Sequence, residues 1–126
     1  MTNEELLRLA EGAAKNSYCK YSHFSVGAAL LAKDGRVFTG CNIENGSYSL
    51  TICAERTAIF KAVSEGCTEF SAIAIAGGAD GDFTQACYPC GACLQVMSEF
   101  CGGSFRVVLT DGEHTLDELM PNRFSL

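Results

Sequence analysis

Positively charged residues are scarce in this sequence. It contains 9 Lys and Arg against 15 Asp and Glu, which gives a formal net charge of -6 at pH 7. The basic residues are also scattered along the chain, without a cluster or stripe. Because binding to a long nucleic acid depends on clustered Lys and Arg, we expect no nucleic-acid partner. A small molecule such as a nucleoside remains compatible with this charge.

Long apolar runs are also missing. No stretch approaches the roughly 20 consecutive apolar residues that a transmembrane helix needs, so we expect no membrane partner. The first residues, MTNEELLRLAEG, do not combine a basic segment with an apolar one, and we expect no secretory signal. These features predict a cytoplasmic protein whose thiols stay reduced.

No repeat, linker or low-complexity segment divides the chain. Its 126 residues are 48% hydrophobic and 19% charged, which is a globular composition. This length suffices for one hydrophobic core and is too short for two. We therefore expect residues 1–126 to form a single domain.

The hydrophobic pattern predicts a helix, a hairpin and two helix–strand pairs. Thr2 and Glu5 form the pattern of a capping box, and an apolar stripe continues the first helix to about Ser17. Strands are predicted at FSVGAALLA, RVFTGCN, FSAIAIA and SFRVVLT. Two further helices are predicted, from about Cys53 to Glu65 and from Pro89 or Cys90 to just before Gly102.

This order of elements predicts an α/β fold. Strands that alternate with helices after a hairpin require parallel crossovers, so we expect a mixed sheet with helices on both faces. The glycine-rich stretch GGADGDF is predicted to be a connection. Thr115 and Glu118 can cap a short last helix, but the segment from Asp111 to Met120 leaves little room for a fifth strand.

Three of the eight cysteines have the spacing of metal ligands. Cys90 and Cys93 fall on nearly the same face of the first turn of a helix, within range of one zinc ion. Cys53 begins another helix and can supply a third thiolate, which helix N-termini stabilise. Three protein ligands leave a fourth tetrahedral position for water, which is typical of catalytic zinc.

Glu55 and Arg56 complete this candidate site. If Cys53 lies at the very start of its helix, the Glu55 carboxylate can reach the open position, accept a proton from water and deliver it to a substrate. Zinc, three thiolates and Glu55 sum to a charge of about minus two, which Arg56 and two helix N-termini bring near neutral. We therefore predict that Arg56 or the helix ends donate hydrogen bonds to the cysteine sulfurs.

A fourth clustered cysteine leaves an alternative open. Cys87 with Cys53, Cys90 and Cys93 would give four thiolates, enough for a closed, non-catalytic zinc site or an iron–sulfur cluster. In that case Glu55 would only be a favourable acidic residue in a first helical turn. Against this alternative, Cys87 precedes the predicted helix and must pass Tyr88-Pro89 to point inward. The remaining thiols are predicted to be structural: Cys19, Cys41, Cys67 and Cys101.

Several blocks of sequence resemble one known family. CAERTAIFKAVSEG and PCGACLQVMSE, with YSHFSVGAALL, DGRVFTGCNIEN and SYSL at matching spacing, cover nearly the whole chain. Together they resemble the small, homotetrameric type of zinc-dependent cytidine deaminase. The resemblance implies a three-layer αβα sandwich with a mixed sheet of four to five strands. It also implies hydrolysis of cytidine or deoxycytidine to uridine or deoxyuridine with release of ammonia, a reaction of pyrimidine salvage.

The same resemblance implies a role for individual residues. Cys53, Cys90 and Cys93 would hold one Zn²⁺ per subunit, and Glu55 would move the proton. Substrate contacts are implied for Phe24, Asn42, Glu44, Ala54, Tyr48 and Phe124, with Gln95 near the site. Tyr48 and Phe124 would serve sites that are shared between subunits of the homotetramer. From the residues alone, we would interpret Asn42 as a loop former, Phe24 as a core residue and Gln95 as a solvated helical residue.

Two features differ from the family pattern, and one related activity competes with the main prediction. Leu94 stands where the family usually has Arg, and Lys20 where a proline is common, which affects the expected subunit contacts. A deaminase of a cytosine-nucleoside antibiotic such as blasticidin S would carry an identical zinc motif. The resemblance implies that Glu44 favours an unmodified ribose, and therefore cytidine or deoxycytidine over the antibiotic.

Overall fold

The computed structural model describes residues 1–126. It contains five strands and four α-helices: α1 Asn3–Ala14, β1 Phe24–Ala32, β2 Val37–Cys41, α2 Ala54–Ser64, β3 Phe70–Ala79, α3 Gly91–Phe100, β4 Arg106–Leu109, β5 Gly112–Thr115 and α4 Leu116–Leu119. A short 3-10 turn lies at Tyr48–Leu50 between β2 and α2. None of the helices combines the length and the apolar character that crossing a bilayer requires.

The five strands form one mixed sheet in the order β2-β1-β3-β4-β5. Strands β3 and β4 are parallel, and the other neighbouring pairs are antiparallel. Strand β1 lies between β2 and β3, and its residues Ala28, Ala29 and Leu30 are fully buried. Its nearly unbroken apolar sequence is therefore explained by burial on both faces of the sheet.

Helices cover the two faces of the sheet. On one face Leu6 and Ala10 of α1 pack against Ala29 and the alanines of β3. On the other face α2 and α3, through residues such as Ile59 and Met97, pack against the opposite side chains of β1, β3 and β4. This arrangement confirms the predicted three-layer αβα sandwich.

Glycines in the sheet allow two helices to approach it very closely. A Cβ atom added at Gly27 would lie 1.9 Å from the carbonyl oxygen of Ala10 in α1. One added at Gly40 would lie 2.6 Å from the Ala54 oxygen and 2.5 Å from the Ala58 nitrogen in α2. The contact at Gly40 therefore sets the position of the first turns of α2 on the sheet.

The predicted helix caps are present. The Thr2 side chain accepts from the Glu5 backbone, and the Glu5 carboxylate accepts from the Thr2 backbone. The Thr115 hydroxyl accepts from the backbone N–H of Glu118 and caps α4. Helix α1 ends at Ala14, earlier than predicted.

Two strand predictions were wrong. Strand β3 continues through Gly77, Gly78 and Ala79, because these residues pair with the beginning of β1 instead of forming a connection. A fifth strand does fit after β4, since the Asp111-Gly112 turn reverses the chain tightly, with Gly112 at a φ of 138°. Glycine tolerates this left-handed backbone conformation without strain.

The close contact between β2 and α2 can be tested by adding a single methyl group. Gly40→Ala should lower the free energy of unfolding by about 1–3 kcal/mol, because the new methyl group meets helix backbone that cannot rotate away. Gly12→Ala is the matched control, since nothing lies within 4 Å of a Cβ there. It should raise stability by about 0.5–1 kcal/mol because Gly12 lies within α1. Urea denaturation measures both changes, and equal stabilities of the two variants would contradict the packing described.

Candidate metal centre and active site

The N-termini of α2 and α3 bring three thiol groups together. Cys53 is the N-cap of α2, Cys90 is the N-cap of α3, and Cys93 lies in the first turn of α3. Their Sγ atoms all lie within 4.8 Å of one another. The three cysteines therefore lie close together, as predicted.

The separations between the thiols fit a tetrahedral zinc site. The Cys90 and Cys93 sulfurs are 3.6 Å apart, and the Cys53 and Cys90 sulfurs are 3.9 Å apart. A Zn–S bond of about 2.3 Å in tetrahedral geometry requires sulfurs about 3.8 Å apart. The soft sulfur donors also match the preference of zinc. These residues can therefore hold one zinc ion.

Arg56 lies beside the thiols, as predicted. Its Nη2 donates a hydrogen bond to Cys53 Sγ at 3.3 Å, whereas its Nε is buried without a partner. Hydrogen bonds from Cys93 and Arg56 lower the pKa of Cys53 to about 5, although burial acts in the opposite direction. The pKa of Cys93 is raised, chiefly because this thiol donates to Cys53. Of this hydrogen-bonded pair, Cys53 is thus the acceptor thiolate and Cys93 the donor thiol.

Glu55 shares a small cavity with two of these thiols, Cys53 and Cys90. The cavity has a volume of about 160 Å³ and is lined by Val26, Asn42, Thr51, Ile52, Cys53, Ala54, Glu55, Cys87, Tyr88 and Cys90. The Glu55 residue is only 4% exposed, and burial raises the pKa of its carboxyl to about 7. A carboxyl with such a pKa can both accept and donate a proton near neutral pH.

Cys87 lines the same cavity but does not join the thiol cluster. The three-sulfur group consists of Cys53, Cys90 and Cys93. Cys87 Sγ packs instead against β3, where it lies only 2.8 Å from the position a Cβ would take on Gly77. Burial raises the pKa of this thiol to about 11. The alternative of a closed four-thiolate site therefore has no support in the geometry.

Of the predicted substrate contacts, Ala54 and Asn42 line the cavity. Ala54 is fully buried at the first position of α2. The Asn42 Oδ1 accepts from the Val26 backbone at 2.9 Å, and its Nδ2 donates to the Phe24 carbonyl at 2.8 Å. Because an amide has two donor hydrogens and two acceptor lone pairs, Asn42 keeps the capacity to bind a hydroxyl.

Glu44 and Phe24 lie next to the cavity and do not line it. The Glu44 carboxylate is almost fully buried and accepts from the backbone of Tyr21 and from the backbone and hydroxyl of Ser22. The Ser22 hydrogen bond is the main reason that the pKa of Glu44 is low. Phe24 lines a neighbouring hollow with Gly77 and the segment 82–86.

Three further predicted residues do not line the cavity within this chain: Tyr48, Gln95 and Phe124. Tyr48 is 60% exposed in the 3-10 turn, and Phe124 is 66% exposed near the C-terminus. Gln95 and Phe124 share a different hollow at the end of α3. The roles predicted for these residues are therefore not explained by one chain alone.

The sequence did not identify several residues of the cavity wall. Val26, Thr51, Ile52 and Tyr88 line the cavity although no motif marks them. Tyr88 could have been recognised, since it lies two positions before Cys90. The others are apolar or hydroxyl residues whose role is visible only when the strands and loops are assembled.

The chain matches a known family over most of its length. Residues 1–109 match the family described as the cytidine and deoxycytidylate deaminase zinc-binding region. The chain belongs to the cytidine deaminase family. This membership confirms the family and the zinc-binding domain that the sequence motifs predicted.

Individual cytidine deaminases are similar over nearly the whole chain. The cytidine deaminase of Sporosarcina psychrophila is 48% identical and covers 99% of this chain and 93% of its own. The cytidine deaminase of Halalkalibacterium halodurans is 47% identical and covers 99% of this chain and 96% of its own. The crystal structure of the Burkholderia pseudomallei cytidine deaminase superposes with a TM-score of 0.88 at 44% identity, covering 98% of this chain and 100% of the other.

A blasticidin-S deaminase is more distant. The enzyme of that name from Bacillus cereus is 28% identical over 98% of this chain and 94% of its own. The antibiotic deaminase is therefore the less supported of the two related activities.

The three-thiol arrangement predicts which cysteines retain the metal. Cys87→Ser should keep about one zinc per chain, because its sulfur packs against β3 outside the cluster. Cys93→Ser should lose most of the zinc, because a hydroxyl is a poor replacement for a thiolate ligand. Metal content by atomic emission measures this, with circular dichroism as the control for folding. Loss of zinc from folded Cys87→Ser would show that Cys87 is a ligand.

Proposed function

We propose that the protein catalyses the hydrolytic deamination of cytidine or deoxycytidine, giving uridine or deoxyuridine and ammonia. The single observation that carries this proposal is the buried Glu55 in one cavity with Cys53 and Cys90, two of the three clustered thiols. Membership of the cytidine deaminase family supports the substrate class. Residues 1–126 would act as one catalytic domain.

The metal site is assigned to Cys53, Cys90 and Cys93. Zinc bound there supplies Lewis acidity, which lowers the pKa of a water molecule at the site. The side chain of Arg56 offsets part of the negative charge of three thiolates, since it donates to Cys53. The N-termini of α2 and α3 also offset part of this negative charge.

Glu55 is assigned the proton transfers. Its carboxylate accepts a proton from the attacking water and donates it to the ring nitrogen next to the amine-bearing carbon. It then accepts the remaining proton of the hydroxyl added to that carbon and delivers it to the departing amine, so that a carbonyl forms, the carbon–nitrogen bond breaks and ammonia leaves. Burial raises the pKa of Glu55 to about 7, which allows the same group to serve as base and as acid.

The nucleoside is assigned to the cavity wall next to Glu55. The backbone of Ala54 would contact the pyrimidine, and Asn42 would bind a ribose hydroxyl with its free amide capacity. A carboxylate has about four acceptor positions, and three on Glu44 are used by Tyr21 and Ser22. One position on Glu44 therefore remains for a second hydroxyl, and Phe24 would flank the base.

The assembly is proposed to be a homotetramer whose sites are shared between subunits. Large apolar side chains are exposed on the single chain, among them Tyr48, Leu50 and Phe124. Burial of such side chains against a second copy would explain why Tyr48 and Phe124 do not line the cavity within one chain. The cytoplasmic location stays a prediction from the sequence.

The decisive experiment is an absorbance assay with zinc-quantified protein. Cytidine, deoxycytidine, cytidine monophosphate and blasticidin S are compared under the same conditions. We expect the ultraviolet spectrum to change with the two nucleosides and ammonia to appear in equal amount. Faster turnover of blasticidin S would favour the antibiotic deaminase, and inactivity on all four would contradict the proposal.

Replacing the proposed proton carrier should separate chemistry from folding. Glu55→Gln should keep zinc but reduce kcat by about 10²–10⁴-fold or more, because the amide cannot transfer protons. Glu65→Gln, an exposed position at the C-terminal end of the same helix, is the matched control and should remain active. Unreduced turnover in the Glu55 variant would remove Glu55 from the mechanism.

The charge balance at the thiols can be tested separately. Arg56→Gln should reduce turnover or zinc affinity by about 10–100-fold, because Cys53 loses its charged hydrogen-bond donor. Arg36→Gln is the control, since Arg36 is an exposed residue that pairs with Asp34 in a turn remote from the cavity. Steady-state kinetics and zinc titration measure both quantities. Identical turnover and identical zinc affinity in the two variants would contradict a role for Arg56.

A further inference from the structure

A cluster of three polar side chains lies at the edge of the cavity. The Tyr88 hydroxyl donates to Asp111 Oδ2 at 2.5 Å, and His114 Nε2 lies 2.8 Å from Asp111 Oδ1. The rings of Tyr88 and His114 meet edge to face, with centroids 5.4 Å apart and an interplanar angle of 63°. We call these residues the Tyr88–Asp111–His114 cluster.

The cluster connects two separate parts of the fold. Tyr88 lies two residues before Cys90, and it is one of the residues that line the cavity with Glu55. Asp111 lies in the turn between β4 and β5, and His114 lies on β5 opposite Val107. The β4–β5 hairpin contributes no residue to the cavity wall, so the cluster is its contact with the site.

The segment before Cys90 has few other hydrogen bonds. Residues 80–90 contain no helix or strand, and residues 85–89 form no backbone hydrogen bond. The bond from Tyr88 to Asp111 is the only hydrogen bond of residues 85–89. The segment is otherwise held by the apolar packing of Ala86 and Cys87 and by the buried Pro89.

The hydrogen bond from Tyr88 to Asp111 has a charged acceptor, and it lies at the surface, where Tyr88 is 52% exposed. An ionised acceptor and a hydroxyl donor form short bonds that are about twice as strong as neutral ones. Hydrogen bonds from His114 and Tyr88 hold the pKa of Asp111 below its usual range, so the acceptor is a carboxylate. Gly112, with its φ of 138°, allows the tight turn that aims Asp111 at Tyr88.

We propose that Asp111 and His114 are positioning residues, which hold Tyr88 at the wall of the nucleoside cavity and the Cys90 thiol at the metal cluster. The part of this inference that concerns the nucleoside rests on the proposed function. The part that concerns Cys90 depends only on the metal cluster. Without the cluster, the segment 85–89 should sample more orientations, so substrate binding should weaken and zinc should leave faster. Glu55 and α2 are untouched, so kcat should change less than KM.

Tyr88→Phe and Asp111→Ala test this inference, singly and together. Each single variant should raise KM by about threefold to tenfold, and should release zinc to a chelator faster by a similar factor. A coloured zinc indicator follows the release without any need for activity. The double variant should be no worse than the more severe single variant, because both changes remove the same hydrogen bond.

Two further variants separate positioning from general damage. Asp34→Ala is the matched control, since Asp34 also precedes a hairpin glycine and also forms an exposed ion pair. It should leave KM and zinc release at wild-type values. Asp111→Asn keeps an oxygen acceptor for Tyr88 and should restore most of the loss seen in Asp111→Ala.

The measured KM values and zinc-release rates decide whether the inference holds. Wild-type KM and zinc release in Tyr88→Phe and Asp111→Ala would overturn the inference. Equal losses in Asp34→Ala, or additive losses in the double variant, would overturn it as well. If the wild-type protein deaminates no nucleoside, the proposed function fails, while the zinc-release measurements still decide whether the cluster positions Cys90.

Discussion

The convergence of two helix N-termini on one face of the sheet is the constraint on which the site depends. Cys53 and Cys90 are the N-caps of α2 and α3, so their sulfurs meet where both helices present unpaired N–H groups. The positive ends of the helices and the Arg56 guanidinium favour ionised thiols there. The same geometry buries Glu55 in the first turn of α2 and gives its carboxyl a pKa suited to proton transfer.

Small residues in the sheet make this convergence possible. Because Gly40 has no side chain, the backbone of α2 at Ala54 and Ala58 rests directly on β2. Gly77 has a comparable effect on the other side of the cavity, since it leaves room for the Cys87 sulfur against β3. The fourth thiol is thereby kept out of the metal cluster, although it is close in sequence to Cys90. Packing of the sheet and chemistry of the site are therefore coupled at two glycines.

Features that depend on local geometry could be predicted from the sequence. Helical or strand periodicity predicts the spacing of Cys90 and Cys93, the caps at Thr2 and Thr115 and the burial of β1. The sequence blocks that resemble the family predicted the fold. The extension of β3 through Gly77 was missed because glycine is usually read as a turn residue. The contact between Tyr88 and Asp111 was missed because it joins residues 23 positions apart, which no sequence period relates.

The separation of the thiols along the chain has a consequence for folding. Cys53 and Cys90 are 37 residues apart, and strand β3 lies between them at the middle of the sheet. An ion that bridges these cysteines therefore acts as a cross-link that joins the two ends of a long loop in the folded chain. Because the cysteines meet only in the folded chain, the affinity for the ion adds to the thermodynamic stability of the protein. The catalytic ion would thus also stabilise the folded chain.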